Sequence, residues 1–430
     1  MSGDFDRDGR PDLAVVENGN VLTVYRNLGA GKFSKVFSQA TNVIGKLVAA
    51  DVNGDGKLDL VTTASFVGEI DVWTGNGDGT FTLSKQEPVN VSDVGEFELA
   101  DVNGDGKIDF VSRLDDDTSV SILVFLNDGD GNFTPKSPGG APGALSNNWA
   151  LGDFDGDGKL DVLVRGGGQL RVFSGDGKGN FTLHATSPAI GGFGELSVGS
   201  FNHDSRLDAA VRVCTTVNCS GENKLYTYVN DGAGHFALAS MTTVGSKLGV
   251  PATGDLNGDT VQDVAMANQD SNNASTAHQV PYALNTGNAH FSTPVSIATV
   301  AGQGNLFIRD MNLDGRHDIV MTASPGTIIF SNKNAPVICA PPGSATLNAK
   351  FCGLASGATV AKTFTVKASG NSPAGVARLE LWLDGKKQFE LWNDQLQRSL
   401  TVGAGKHRVS IVAVDRFGAT ATHAISVTAH

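Results

Sequence analysis

Seven nine-residue runs in this 430-residue chain place acidic or amide side chains at alternate positions. Four match closely: Asp4–Asp12, Asp51–Asp59, Asp101–Asp109 and Asp153–Asp161. Looser copies lie at Ser200–Asp208, Asp255–Asp263 and Asp310–Asp318. Oxygens spaced this way suit a hard cation, and calcium takes roughly six to eight of them. Side chains at positions 1, 3, 5 and 9 are the expected ligands. Position 7 offers its backbone carbonyl, which leaves its side chain free to vary. The expected sets are Asp4, Asp6, Asp8, Arg10 and Asp12; Asp51, Asn53, Asp55, Lys57 and Asp59; and Asp101, Asn103, Asp105, Lys107 and Asp109. They continue with Asp153, Asp155, Asp157, Lys159 and Asp161; Asp255, Asn257, Asp259, Val261 and Asp263; and Asp310, Asn312, Asp314, Arg316 and Asp318. Glycine at position 6 permits the sharp reversal, except for Thr260 and Ser205. In the fifth run Ser200 replaces the first aspartate, which leaves either a weak cage or an ion-free turn held by hydrogen bonds. Without metal, the clustered carboxylates of the other runs would repel one another. Five to seven calcium ions in a structural role are therefore expected. Magnesium, with its strict octahedral geometry, suits these loops less.

The surrounding residues repeat as well. An apolar stretch such as Lys46–Ala50 leads into each run, and β-rich stretches such as Leu58–Thr63 and Ser121–Leu126 follow. A glycine turn ending in phenylalanine comes next, as in Asn27–Phe33, Asn127–Phe133 and Asn230–Phe236. The runs start 47 to 55 residues apart, and helical periodicity is absent. Four short strands per repeat describe a propeller blade. The first repeat lacks an apolar strand before Asp4, and the last has Ser331–Asn334 where the glycine turn belongs. Both ends are expected at the ring's closure, with Pro336–Pro341 pairing there.

The unit Asp-x-Asp/Asn-x-Asp-Gly-x-x-Asp followed by Asn-x-Gly-x-Gly-x-Phe resembles the FG-GAP/VCBS repeat. That repeat builds the seven-bladed propellers of integrin α-subunits and of many bacterial secreted proteins. The resemblance covers about residues 1–335 and implies an all-β, seven-bladed β-propeller. Residues 336–430 alternate apolar and polar residues in stretches such as Ala377–Leu383 and Arg408–Val414, with a hairpin signal at Asp384-Gly385. They resemble bacterial immunoglobulin-like modules, which implies a C-terminal immunoglobulin-like β-sandwich.

The formal charge is −13, yet 22 of the 45 acidic residues lie at ligand positions of the runs. Seven divalent ions would bring the charge to about +1, so the acidity is a metal requirement more than a steering field. No nucleic-acid or membrane-inserting partner is read from it, and a monomer is expected. Cys214/Cys219 and Cys339/Cys352 lack metal-site spacing and are read as two disulfides. That places the chain outside the reducing cytoplasm, secreted or on a cell surface, although no leader is visible before the first run.

No nucleophile elbow, phosphate loop or HExxH motif is present. Glu96, Glu98 and Glu195 could face a central channel, although a solvated or strand-edge setting is the better fit. Trp73 and Trp149 are expected to pack between blades, and Trp382 and Trp392 within the sandwich. Asp115–Asp117 reads as a solvated hairpin tip, and the insertions 213–224 and 267–280 as places for a partner. The expected function is a calcium-stabilised binding or adhesion module for a protein or glycan. A lyase-type carbohydrate-active enzyme using the channel and a structural spacer are the alternatives.

Overall fold

The structure, a computed structural model, describes every residue except 43, 65–67, 90–95, 116–119, 140–148, 215, 217–218, 220, 269–278, 299–303, 324–325 and 334. It is all-β, with no helix among the described residues. Seven antiparallel sheets follow in chain order, one per repeat, and form the blades of a propeller. Blades 1 to 5 have four strands in simple meander order. Blade 2 is typical, with Ile44–Ala50, Asp59–Ala64, Glu69–Gly75 and Phe81–Pro88. Each acidic run joins the first strand of its blade to the second.

Blade 1 does own an innermost strand, the two residues Ser2–Gly3. Among the described residues blade 7 has three strands, Gly304–Arg309, Asp318–Ala323 and Gly326–Phe330. Pro336–Pro341 does not complete it, contrary to expectation. Two of its residues are prolines, which bring no N–H to a ladder. The segment crosses instead over the sixth and seventh runs, with Pro336 against Gly258 and Val337 and Ala340 against Gly315, just after Ala335, whose carbonyl accepts Arg316 Nε at 2.6 Å.

Apolar packing closes the ring. Blades meet in seven buried clusters, one per junction. That between blades 2 and 3 joins Val61 and Val72 to Phe97, Phe110 and Phe133. That between blades 7 and 1 joins Met311 and Val320 to Leu13. Asn27 of blade 1 also donates to Met311 O of blade 7 at 2.7 Å.

The C-terminal strands form two facing sheets. One holds Asn348–Phe351, Thr363–Asn371 and Gln395–Thr401. The other holds Ala358–Val360, Val376–Leu383, Lys386–Leu391, Gly405–Asp415 and Thr420–Ala429. Their inner faces share one core that includes Val366, Leu396, Leu379, Ile411 and Val427. Asp384 and Gly385 have φ of 50° and 80°, the left-handed pair that a tight hairpin requires. Both disulfides form, Cys214–Cys219 and Cys339–Cys352.

Candidate metal loops

Every acidic run folds as the same rigid loop. Positions 4 and 6 are left-handed in all seven, from Gly54 and Gly56 (φ 73° and 79°) to His203 and Ser205 (63° and 71°). The need at position 4 was missed in the sequence, although Gly54, Gly104, Gly156 and Gly258 signal it. The first aspartate folds back over the reversal, and its Oδ2 accepts the amide of position 6 at 2.7–3.0 Å in six loops. Position 3 accepts from the amide of position 5, as from Asp55 to Asn53 at 2.9 Å. Position 5 accepts from that of position 7, as from Lys57 to Asp55 at 2.9 Å.

The last aspartate has a heavier structural role than its expected ligation. In all seven loops its Oδ2 accepts the amide of position 2, and its Oδ1 accepts an amide at the end of the third strand, at 2.7–3.2 Å. Asp12, Asp59, Asp109, Asp161, Asp208, Asp263 and Asp318 are all fully buried. The carboxylate keeps lone pairs beyond the clamp, on Oδ1 even at Asp161, whose Oδ2 accepts the amides of both Phe154 and Asp155, so a donor for an ion remains. The side chain at position 7, free to vary, also finds a partner. It turns back onto the carboxylate at position 5, with Lys57–Asp55 at 3.0 Å, Lys159–Asp157 at 2.7 Å and Arg10–Asp8 at 3.0 Å. Such exposed pairs contribute little and would yield readily.

Neighbouring blades hold the loops in place. The position-2 side chain packs on the turn phenylalanine of the next blade, with Phe5 and Phe81 centroids 5.5 Å apart and Phe201 and Phe291 5.6 Å apart. The turn asparagine bridges the same junction. Asn127 Nδ2 donates to Val52 O at 2.8 Å and to Ile108 O at 2.9 Å.

The donor set fits a hard cation. Carboxylate oxygens of Asp4, Asp6 and Asp8, and of Asp153, Asp155 and Asp161, converge within 4.8 Å of one another. Asparagine replaces the middle carboxylate in loops 2, 3, 5, 6 and 7. Burial, partly offset by the backbone amides and reinforced by neighbouring carboxylates, raises Asp4 to about 6, Asp12 to about 7 and Asp263 to about 8. These are buried charges short of a counter-charge, the state a divalent ion relieves.

The family model for the FG-GAP-like repeat matches residues 4–62, 51–112, 101–164 and 153–211. Residues 4–211 are built of FG-GAP-like repeats. The matched FG-GAP-like segments cover blades 1 to 4 and run into blade 5, and the later blades repeat the same loop and turn. A lectin of Agrocybe aegerita, described as recognising non-reducing terminal N-acetylglucosamine, is 18% identical, with 78% of this chain and 85% of that one covered and a TM-score of 0.49. The V. cholerae biofilm matrix protein Bap1 is 14% identical over 98% of this chain and 69% of that one, with a TM-score of 0.39. A protein of unknown function from Desulfotomaculum acetoxidans is 10% identical over 74% and 98%, with a TM-score of 0.49. These likenesses are too distant to transfer a ligand or an activity. No curated protein matches the chain.

The other residues singled out fall as follows. Glu96 and Glu98 are paired with Lys46 Nζ at 3.1 and 3.0 Å, and Glu195 with Arg212 at 3.4 Å. Trp73 is buried at the junction of blades 1 and 2 and donates to Thr62 at 3.2 Å. Trp149 is only half-buried on the innermost strand of blade 4. Trp382 donates to Glu380 within the sandwich at 3.0 Å. Trp392 is not a sandwich-core residue: its Nε1 donates to Ser205 O of the fifth loop at 3.1 Å. Asp116 and Asp117, and most of the insertion at 267–280, lie outside the described residues.

Proposed function

We propose that this chain is an extracytoplasmic binding module, stabilised by calcium in its acidic loops, that takes a glycan segment in a cleft between propeller and sandwich. The cleft carries this reading. It has a volume of 1310 Å³ and runs from the innermost strands of blades 2 to 5 to the sandwich loops, past Trp149, Leu151, Glu98, Arg378, Trp392 and Arg416. The half-buried Trp149, packed on the junction of blades 3 and 4, stands beside charged hydrogen-bonding groups, a pairing that suits the C–H faces and hydroxyls of a sugar chain.

Binding suits the cleft better than catalysis. A general acid or base needs a carboxyl free to exchange its proton. Glu98 is tied to Lys46 at 3.0 Å, and Glu390 to Lys387 at 2.7 Å. Asp415 accepts the amides of Phe417 and Ala419, each at 3.0 Å. The two disulfides support an oxidising compartment. No helix among the described residues is long and apolar enough to cross a membrane.

A glycan array probed with the whole chain, with and without calcium, tests the proposal. Retained glycans that are lost by Trp149→Ala, with the melting temperature unchanged, would support it. Glycans bound equally by that variant, or none bound at all, would contradict it.

A further inference from the structure

The sandwich covers the propeller's acidic face unevenly. A Cβ added at Gly9 of loop 1 would lie 3.2 Å from Ser344 N. One at Gly258 of loop 6 would lie 2.5 Å from Pro336 O, and one at Gly315 of loop 7 2.7 Å from a Val337 methyl. The counterparts of Gly9 and Gly315 in loops 2, 3 and 4, Gly56, Gly106 and Gly158, have nothing within 4 Å, and the counterparts of Gly258 meet propeller backbone at most: a Cβ at Gly54 would lie 3.9 Å from Gly129 O, one at Gly156 2.9 Å from Gly232 O, and one at Gly104 would have nothing within 4 Å. The first aspartates divide in the same way. Asp4, Asp255 and Asp310 are 4%, 7% and 3% exposed, whereas Asp51, Asp101 and Asp153 are only half-buried.

Loops 5 and 7 both hydrogen-bond the sandwich: in loop 7 Gly315 O accepts Gln395 Nε2 at 2.7 Å and His317 pairs with Asp394 at 3.0 Å. Ser205 stands where the repeat calls for glycine. Its Oγ donates to Glu390 O at 2.7 Å, and its own carbonyl accepts Trp392 Nε1 at 3.1 Å. Gln262, next to the clamp of blade 6, donates to Trp392 O at 2.8 Å. The Arg378 guanidinium lies 5.2 Å above the Trp392 ring. At the other departure, Ser200, no carboxylate remains to fold over the reversal, and its buried Oγ has no hydrogen-bond partner. The two substitutions that spoil the cage therefore coincide with a side chain that grips the sandwich.

We infer that loop 5, Ser200–Asp208, holds no ion and is a docking socket for the sandwich through Ser205 and Trp392, and that this latch divides the remaining loops into two metal classes. Loops 1, 6 and 7 lie beneath the sandwich and exchange calcium slowly. Loops 2, 3 and 4 stand open and exchange it quickly. The two classes rest on the calcium reading above, whereas the latch itself does not.

The test compares the whole chain with three variants. Calcium per chain is measured after gel filtration, calcium release to a chromophoric chelator is timed, and proteolysis across 331–345 is followed. The parent should release calcium in two phases. Asp204→Asn should bind as many ions as the parent. Ser200→Asp with Ser205→Gly rebuilds the repeat's loop and should gain one ion. Trp392→Ala should lose the slow phase and be cleaved at least about tenfold faster, the effect of losing roughly 1.4 kcal/mol of docking. The rebuilt loop, altered outside the sandwich, should also be cleaved faster, which guards against a Trp392 variant that merely misfolds. Loss of one ion in Asp204→Asn, a single release phase in the parent, or parental cleavage rates in both other variants would overturn the inference. If the parent binds no calcium, the calcium reading fails and the cleavage rates alone decide the latch.

Discussion

Replacing Asp263 by alanine would orphan two backbone amides at once, those of Leu256 and Asn285. Buried groups left unpaired cost about 1–3 kcal/mol each, so urea denaturation of the metal-free protein should show a loss of that order per amide. Asp259→Asn keeps an acceptor for the Val261 amide. It should leave metal-free stability nearly unchanged and weaken calcium binding. The ladder of acids was legible from spacing alone, but the division of labour within it was not. Alternation shows where carboxylates lie, not which backbone amides reach them from strands 14 to 22 residues away. Burial of these groups sets a pH dependence as well. Burial raises Asp12 to about 7 and Asp263 to about 8, partly offset by the amides and helped by nearby carboxylates. Acids with a raised native pKa make the folded state hold protons that the unfolded chain releases. Their stabilisation is full below about pH 4 and is lost as the pH climbs towards about 8. The metal-free protein should therefore melt at a higher temperature at pH 5 than at pH 8, and saturating calcium should narrow or reverse that difference.

Turns and connections carry the next scale. The asparagine that opens each glycine turn was visible as a repeated letter, but its partner belongs to another blade. Asn230 Nδ2 donates to Phe154 O at 2.9 Å, 76 residues away. Asn230→Ala should cost about 0.5–1.5 kcal/mol in urea denaturation, because it removes a buried hydrogen bond across a blade junction while Phe154 O keeps the Gly234 amide at 2.9 Å. Asp384-Gly385 was readable because a tight hairpin needs two left-handed residues, and this dipeptide tolerates them. Pro336–Pro341 misled, since it lies at the right place in the sequence to close the ring. Cys339 within it bonds to Cys352. A cross-link closing so short a loop contributes about 3 kcal/mol. Replacing both cysteines by serine should lower the melting temperature by several degrees and loosen the passage from propeller to sandwich.

At the scale of the whole molecule, the seven-part ring was legible because each repeat carries its own loop, strands and turn. The placement of the sandwich was not. Ser205 and Trp392 meet across 187 residues, and each alone reads as an ordinary departure or an ordinary core residue. The excess of acid also makes sense only for the assembled disc, where buried carboxylates crowd one face of the ring at every blade. The central claim is that divalent ions neutralise this face and so hold the blades together, and thermal unfolding tests it most directly. Stripping the protein with a chelator at pH 7.5 should lower the melting temperature by about 10 °C or more, and added calcium should restore it in a concentration-dependent way that magnesium does not match. A melting curve that chelator and calcium leave unmoved would contradict the account.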